Sequence, residues 1–342
     1  MKICVVGDLH CRFDLPYSTS IEDGRKSEWK SIKEVIHNRA RSCDAVVLLG
    51  DNFNARHNHS TVIKDFVDFL NGFGDKEIHI LCGNHERYGE STALDFLKRL
   101  NKETWHVYTE PTATEICGLK AMMIPFMTPS LLNVETNEEG AKEIIKLFPK
   151  EKSGIAFAHH VISGSKINGI SADSFNEIIL PKKEMEKKFG MTFSGHVHKK
   201  QRLSESVIMT GSIITQEVGE HSKSIWEYEN GEAKEIALPV RGIYKVQIDQ
   251  HTTFPTMPKD SIVKCYLTDR SADVERIKKH LSTFDASILI EQYPSERQKV
   301  HFDEGSMDFS VESLLKLYAK AKKIDHKELQ KGFNLINDNI SK

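Results

Sequence analysis

Ile78-His79-Ile80-Leu81-Cys82-Gly83-Asn84-His85-Glu86 runs from an apolar stretch into a glycine and three chemically capable side chains. A short β-branched run closed by glycine reads as a strand ending at a turn. A strand buried on both faces cannot carry charge internally, so polar groups appear where it emerges. Asparagine, histidine and glutamate together at such a point have little structural purpose of their own.

Working outward, the same arrangement recurs four times. Runs at 2–6, 45–49, 154–158 and 191–193 precede Gly7-Asp8-Leu9-His10, Gly50-Asp51-Asn52-Phe53, His159-His160 and Gly195-His196-Val197-His198. Taken singly, the Gly-Asp pairs could be ordinary turns and the His159-His160 pair hydrogen-bonded structural residues. Taken together, in one order and each after a strand, they predict strand ends sharing one rim, where ligands bind in open α/β sheets. In Gly195-His196-Val197-His198 two imidazoles fall on the same side of an extended segment.

Three oxygen donors (Asp8, Asp51, Asn84) and four imidazoles (His10, His159, His196, His198) form a mixed ligand set without thiolate. That set suits manganese, iron or zinc better than calcium or a structural zinc. Seven ligands exceed one tetrahedral ion, whereas two ions roughly 3.5–4 Å apart sharing one carboxylate use all of them.

These five blocks resemble the calcineurin-like metallophosphoesterase superfamily and, within it, the SbcD-type nuclease subunit of the double-strand-break repair complex, including phage relatives. Supporting the narrower likeness are Gly195-His196-Val197-His198-Lys199-Lys200-Gln201, then Thr210-Gly211-Ser212-Ile213 and Glu217 or Glu220. The resemblance implies an α/β fold: a layered β-sandwich core flanked by helices, a small α/β capping domain and C-terminal helices. It implies that Asp8, His10, Asp51 and His198 hold one divalent metal, that Asp51, Asn84, His159 and His196 hold the other, and that Asp51 bridges. Manganese is the first expectation for both. Hydroxide activated by two metals would attack phosphorus, with His85 as general acid or phosphate clamp. Glu86 is expected to orient a neighbouring imidazole. Relatives carry His or Asp three residues after the second-block aspartate, and this chain has Asn54; His57 or His59 could substitute, or the loop could be simply solvated.

The expected activity is that of a metal-dependent DNA exonuclease or endonuclease subunit in end processing, recombination and repair. The expected partners are DNA, a second copy in a homodimer, and an SMC-like coiled-coil ATPase bound by the C-terminal helices. The competing readings are a freestanding small-substrate phosphomonoesterase or phosphodiesterase, and a non-catalytic assembly subunit.

With 47 Lys plus Arg against 49 Asp plus Glu, the net charge of −2 gives no global pull toward nucleic acid. Any DNA contact must be local, and Arg12, Arg87, Lys199, Lys200 and Arg202 lie near the metal blocks. The six cysteines lack a Cys-x-x-Cys pair and read as reduced, buried thiols. With no signal peptide or membrane-length apolar run in view, a cytoplasmic protein is expected, in the host cytoplasm if phage-encoded.

The expected domains are 1–238, the nuclease core; 243–300, a capping segment; and 306–342, the docking segment. Helices are expected at 27–41, 60–73, 92–101 and 138–147, and a hairpin over 116–124 broken at Gly118. In the capping segment, strands are expected at 244–248, 262–268 and 288–293 around a helix with Val274, Ile277, Leu281 and Phe284 on one face. In the tail, Val311, Leu314, Leu315 and Tyr318 form one apolar stripe, and Leu329, Phe333 and Ile336 another.

Overall fold

The computed structural model describes residues 1–12 and 22–292, apart from 168, 217–219, 221, 249–255, 257, 260, 268–273 and 285–286. The two tail stripes and Glu217 lie outside the described residues.

Two six-stranded sheets form the core. The first runs in the order Glu232–Ala237, Ser224–Glu229, Lys2–Val6, Ala45–Leu48, Glu77–Leu81, Trp105–Tyr108. The second runs Gln201–Arg202, Val207–Met209, Met191–Ser194, Ile155–Ala158, Leu119–Ile124, Thr112–Ile116. All five strands that precede the polar blocks pair in parallel with a neighbour.

Ile3, Val5, Val47 and Leu81 of the first sheet share one buried cluster with Met123, Phe157, Phe193 and Ile208 of the second. The sheets therefore pack face to face, which makes the near-continuous apolar strands necessary. The outer face of the first sheet packs against helices Glu22–Ala40 and Ser60–Asn71 through Ile32, Ile36, Phe66 and Phe69. Helices Asn137–Lys146 and Lys182–Lys188 cover the other through Ile144 and Met185. The result is a four-layer helix–sheet–sheet–helix core.

Helix ends follow local chemistry. His59 caps Ser60–Asn71, its Nδ1 accepting from the Thr61 backbone, and Thr136 with Glu139 forms a capping box on Asn137–Lys146. The helix expected over 92–101 shortens to Asp95–Arg99 because Asp95 accepts from Thr92 N and Thr92 Oγ1 accepts from Leu94 N, which holds that turn outside the helix. The 116–124 hairpin forms from Thr112–Ile116 and Leu119–Ile124, with Cys117 and Gly118 both at positive φ (48° and 83°) as a two-residue turn requires. Five cysteines are buried and free, whereas Cys117, at this turn, is exposed.

Beyond the sandwich, Ile243–Ile248, Ile262–Leu267 and Ser287–Gln292 form a third sheet. Ile277 and Leu281 of helix Val274–Ser282 pack on Val246, Ile248, Val263 and Cys265 as a separate core, with Val274 and Phe284 at its margin.

Candidate metal centre

Because the sheets stack with their parallel strands ending on one side, one rim collects groups from both. Asp8 and His10 follow Lys2–Val6, Asp51 follows Ala45–Leu48, and Asn84 and His85 follow Glu77–Leu81. His159 follows Ile155–Ala158, and His196 and His198 follow Met191–Ser194, in the second sheet. The rim is thus shared between two sheets and is not the edge of one open sheet.

Candidate ligand atoms of Asp8, His10, Asp51 and His198 lie within 4.8 Å of one another, as do those of Asp51, His159 and His196. Asn84 completes the second group: its Oδ1 stands 3.1 Å from His159 Nε2 and 2.9 Å from His196 Nδ1. Asp51 is common to both groups. His10 Nε2 and His198 Nε2 face each other at 3.0 Å, and Asp51 Oδ2 lies 3.4 Å from His159 Nε2 and 3.8 Å from His10 Nε2. A cation with bonds of about 2.1 Å leaves two ligand atoms about 3.0 Å apart at right angles and about 3.4 Å apart at tetrahedral angles. The donor spacings fit two such ions.

The groups are aimed by contacts at their far ends. His159 Nδ1 donates to Leu49 O at 2.6 Å, which turns Nε2 toward the centre. His196 is steered by Glu177, whose Oε2 sits 2.7 Å from Nε2, leaving Nδ1 to face Asn84. Phe126 stacks on the His196 ring at 5.7 Å. The buried Lys223 donates to His198 O and Ser212 Oγ and pairs with Glu220, fixing the backbone of the last block. Glu177 and Lys223 carry no sequence signal, since they reach the centre only through the fold.

His10, Asp51 and His196 all have positive φ (44°, 46° and 77°), a region costly for residues with a side chain. Strain of this kind concentrates at functional sites. Packing is equally tight: a Cβ on Gly83 would lie 2.1 Å from Asp51 Oδ1.

Electrostatics account for the ligand types. Burial pushes the Asp8 carboxyl up from its usual value. For Asp51 burial acts in the same direction, but His159, His10 and His85 outweigh it and hold the carboxyl below the usual carboxylate range. Burial favours neutral His159, yet Asp51 and Asp8 raise it to about 9. Burial drives His10 well below its ordinary value, leaving a neutral ring able to ligate.

His85 borders the centre, its Nε2 3.9 Å from Asp51 Oδ2 and its ring 4.9 Å from that of His10. Its backbone N–H donates to Asp51 Oδ1 at 2.9 Å, and its Nδ1 donates to the backbone carbonyl of Asn54 at 2.8 Å. Position 54 thus acts on His85 through its main chain. Glu86 departs from expectation: wholly buried, it accepts from Phe53 N and Gly83 N at 2.8 and 2.7 Å and touches no imidazole by hydrogen bond. Burial and Asp51 push it up to about 8. His160 is also buried, with hydrogen-bond partners at Met127 N and Ile178 O.

The five basic residues are not gathered at the centre. Arg87 is buried and donates to the carbonyls of Thr109 and Phe126. Lys200 pairs with Glu235, and Arg202 donates to Glu205 O and Ala233 O while lying over Trp226. Lys199 is exposed and Arg12 half-buried. A different cation stands in the cleft. Arg56 lines it together with His57, Asn84 and His85, and its guanidinium lies over the Tyr88 ring at 5.8 Å.

A family model for calcineurin-like phosphoesterases matches residues 1–200, the stretch that holds all seven candidate ligands. The chain belongs to the calcineurin-like phosphoesterase family. Membership makes it a phosphoester hydrolase dependent on divalent metal, and the clustered donors are what such a hydrolase requires. No curated protein matches this family member. Among solved structures it is similar to a conserved uncharacterized protein of Streptococcus pneumoniae TIGR4, described as a predicted phosphoesterase. The two share 13% identity over 69% of this chain and 97% of that one, with a TM-score of 0.28. Among the described residues, no helix is long and apolar enough to cross a membrane.

Proposed function

We propose that this phosphoesterase cleaves phosphodiester bonds in DNA, as a nuclease subunit of the SbcD type. The observation that carries the reading is the pairing of Arg56 with Tyr88 at the mouth of the centre. Tyr88, two residues beyond the Asn84-His85-Glu86 block, is 68% exposed and presents an open aromatic face. An aromatic face backed by a guanidinium stacks a nucleobase and holds the adjacent phosphate. The cleft lined by Ala55, Arg56, His57, Asn84 and His85 is wide and open, with a volume of about 420 Å³, which suits a polymer more than an enclosed small ester.

Two divalent cations held by the seven donors would supply Lewis-acid polarisation of the phosphoryl group and an acidified water, and manganese suits the mixed oxygen and nitrogen set. The chain's own residues do the rest. Asn54 O fixes His85 so that Nε2 faces the reacting phosphate, where it donates a proton to the departing sugar oxygen. Arg56 neutralises a neighbouring phosphate and positions the strand. The third sheet with its helix serves as a capping surface for DNA, and the tail as the docking segment for an SMC-like ATPase, with the subunit acting as a homodimer in the cytoplasm.

The test is manganese-dependent degradation of end-labelled linear double- and single-stranded DNA beside hydrolysis of a p-nitrophenyl phosphate ester. We expect DNA cleavage that falls at least about 10²-fold in His85→Ala, as loss of a general acid predicts. Arg56→Ala should weaken DNA cleavage and spare the small ester. Ester hydrolysis with inert DNA, unchanged on adding the candidate ATPase, would assign a small-substrate phosphoesterase instead.

A further inference from the structure

At the far end of the strand Glu77–Leu81, away from the residues that lead into Asn84, a second group of metal-competent side chains converges. Ligand atoms of Glu77, His79 and His106 lie within 4.8 Å of one another. Glu77 and His79 are two apart on one strand and so share a face. His106 is the register partner of His79 on the parallel edge strand Trp105–Tyr108. The two imidazoles stack at 4.8 Å with 24° between their planes.

His79 decides what the group is for. Its ring is 98% buried, Nδ1 is 2.9 Å from the Tyr108 hydroxyl, and Nε2 has no hydrogen-bond partner among the described residues. The closest carboxylate oxygen, Glu77 Oε2, stands 3.6 Å from Nε2, beyond hydrogen-bonding reach. A buried ring nitrogen aimed at a carboxylate and a second imidazole, with nothing bonded to it, is an orphan that calls for a ligand. The hydroxyl beside Nδ1 is an outer contact that can accept the Nδ1 proton in a hydrogen bond when Nε2 ligates a cation.

We infer that Glu77, His79 and His106 form a separate site for one borderline transition-metal cation such as Zn²⁺, clipping the edge strand to its neighbour. Two imidazoles and one carboxylate favour zinc, cobalt, nickel or copper over magnesium and calcium. The site is accessible: Glu77 is 46% exposed, and the exposed Cys117 places its Sγ 3.9 Å from Glu77 Oε2, beside the open coordination position. Burial, and then the neighbouring His106, hold the His79 ring down to about 3, so at neutral pH the ring is uncharged and has one nitrogen lone pair to offer a cation.

The test is a metal count. Full-length protein stripped with chelator is titrated with Co²⁺, desalted and analysed for retained cobalt, with visible absorption following imidazole ligation. Wild type is expected to retain one equivalent more than His106→Ala and Glu77→Gln, both variants keeping the wild-type phosphoesterase rate. Glu77→Gln is nearly isosteric at a half-exposed position and guards against loss of fold. Asp51→Asn should lose cobalt from the rim while keeping the equivalent that His106→Ala removes, so the two sites report separately. Equal retention in wild type and both variants overturns the inference.

Discussion

Asp51 concentrates the chemistry of the rim, because one buried carboxylate faces both donor groups and also receives the His85 backbone N–H. Its neighbours are aimed by groups that do not themselves touch the centre. Glu177 is the clearest case, since its contact with Nε2 of His196 leaves Nδ1 to face Asn84. Glu177→Gln keeps the shape and removes the charge that polarises the ring. It should cost about 10–100-fold in metal affinity or turnover, measured by metal titration of the stripped protein, with the folded content by circular dichroism unchanged. An unaltered affinity would mean that the charge of Glu177 is not needed to orient His196. Nothing in the sequence marks Glu177, which stands 19 residues before His196 and meets it only in the folded chain.

Elements matter here through their ends. Four of the five strands finish at a glycine, Gly7, Gly50, Gly83 or Gly195, packed so tightly that a methyl group cannot be added without displacing a neighbour. At Gly83 the added carbon would meet both Asp51 Oδ1 and, at 2.2 Å, Asp51 N, so the loops after Ala45–Leu48 and Glu77–Leu81 are in direct contact. Glu86 ties the same two loops by accepting from Phe53 N and Gly83 N. Gly83→Ala must push these loops apart, and a misplacement of about 1 Å is enough to cost about 10²-fold in rate. Steady-state kinetics should show that loss as lower kcat, while the unfolding midpoint moves little because the sandwich core is untouched. Loss confined to stability would show that the loops are free to shift without consequence for the chemistry.

For the whole molecule, stability couples to pH through buried neutral histidines. His79 titrates at about 3 in the fold against about 6.5 unfolded, the depression caused by burial first and His106 second. Below pH 6.5 the unfolded chain therefore takes up a proton that the folded chain refuses, and stability falls as pH drops toward 3. The groups facing His79 are Glu77, which is 46% exposed and 3.6 Å away, His106 and Tyr108. In chelator, wild type should lose up to about 2 kcal/mol more than His79→Gln between pH 7 and 5, read from urea midpoints at the two pH values. Equal losses would assign the acid sensitivity to the rim carboxylates and imidazoles. Glu86, pushed up to about 8, works in the opposite sense, which is why the comparison with the variant carries the result.

The sequence by itself determined the five strand ends and the donor types placed on them, because a strand buried on both faces can display polar groups only where it stops. It also marked the hairpin, the small third sheet and its helix, since apolar periodicity and turn residues are local properties. It did not determine that the rim is shared by two sheets, because that follows from face-to-face packing of Phe157 and Phe193 against Val5 and Val47. Nor did it reveal that Arg87 is committed to backbone carbonyls while Arg56 stands in the cleft, since near-equal spacing from a motif says nothing about direction. Glu77, His79 and His106 look like ordinary strand residues until register sets two strands side by side, and only tertiary structure supplies that alignment.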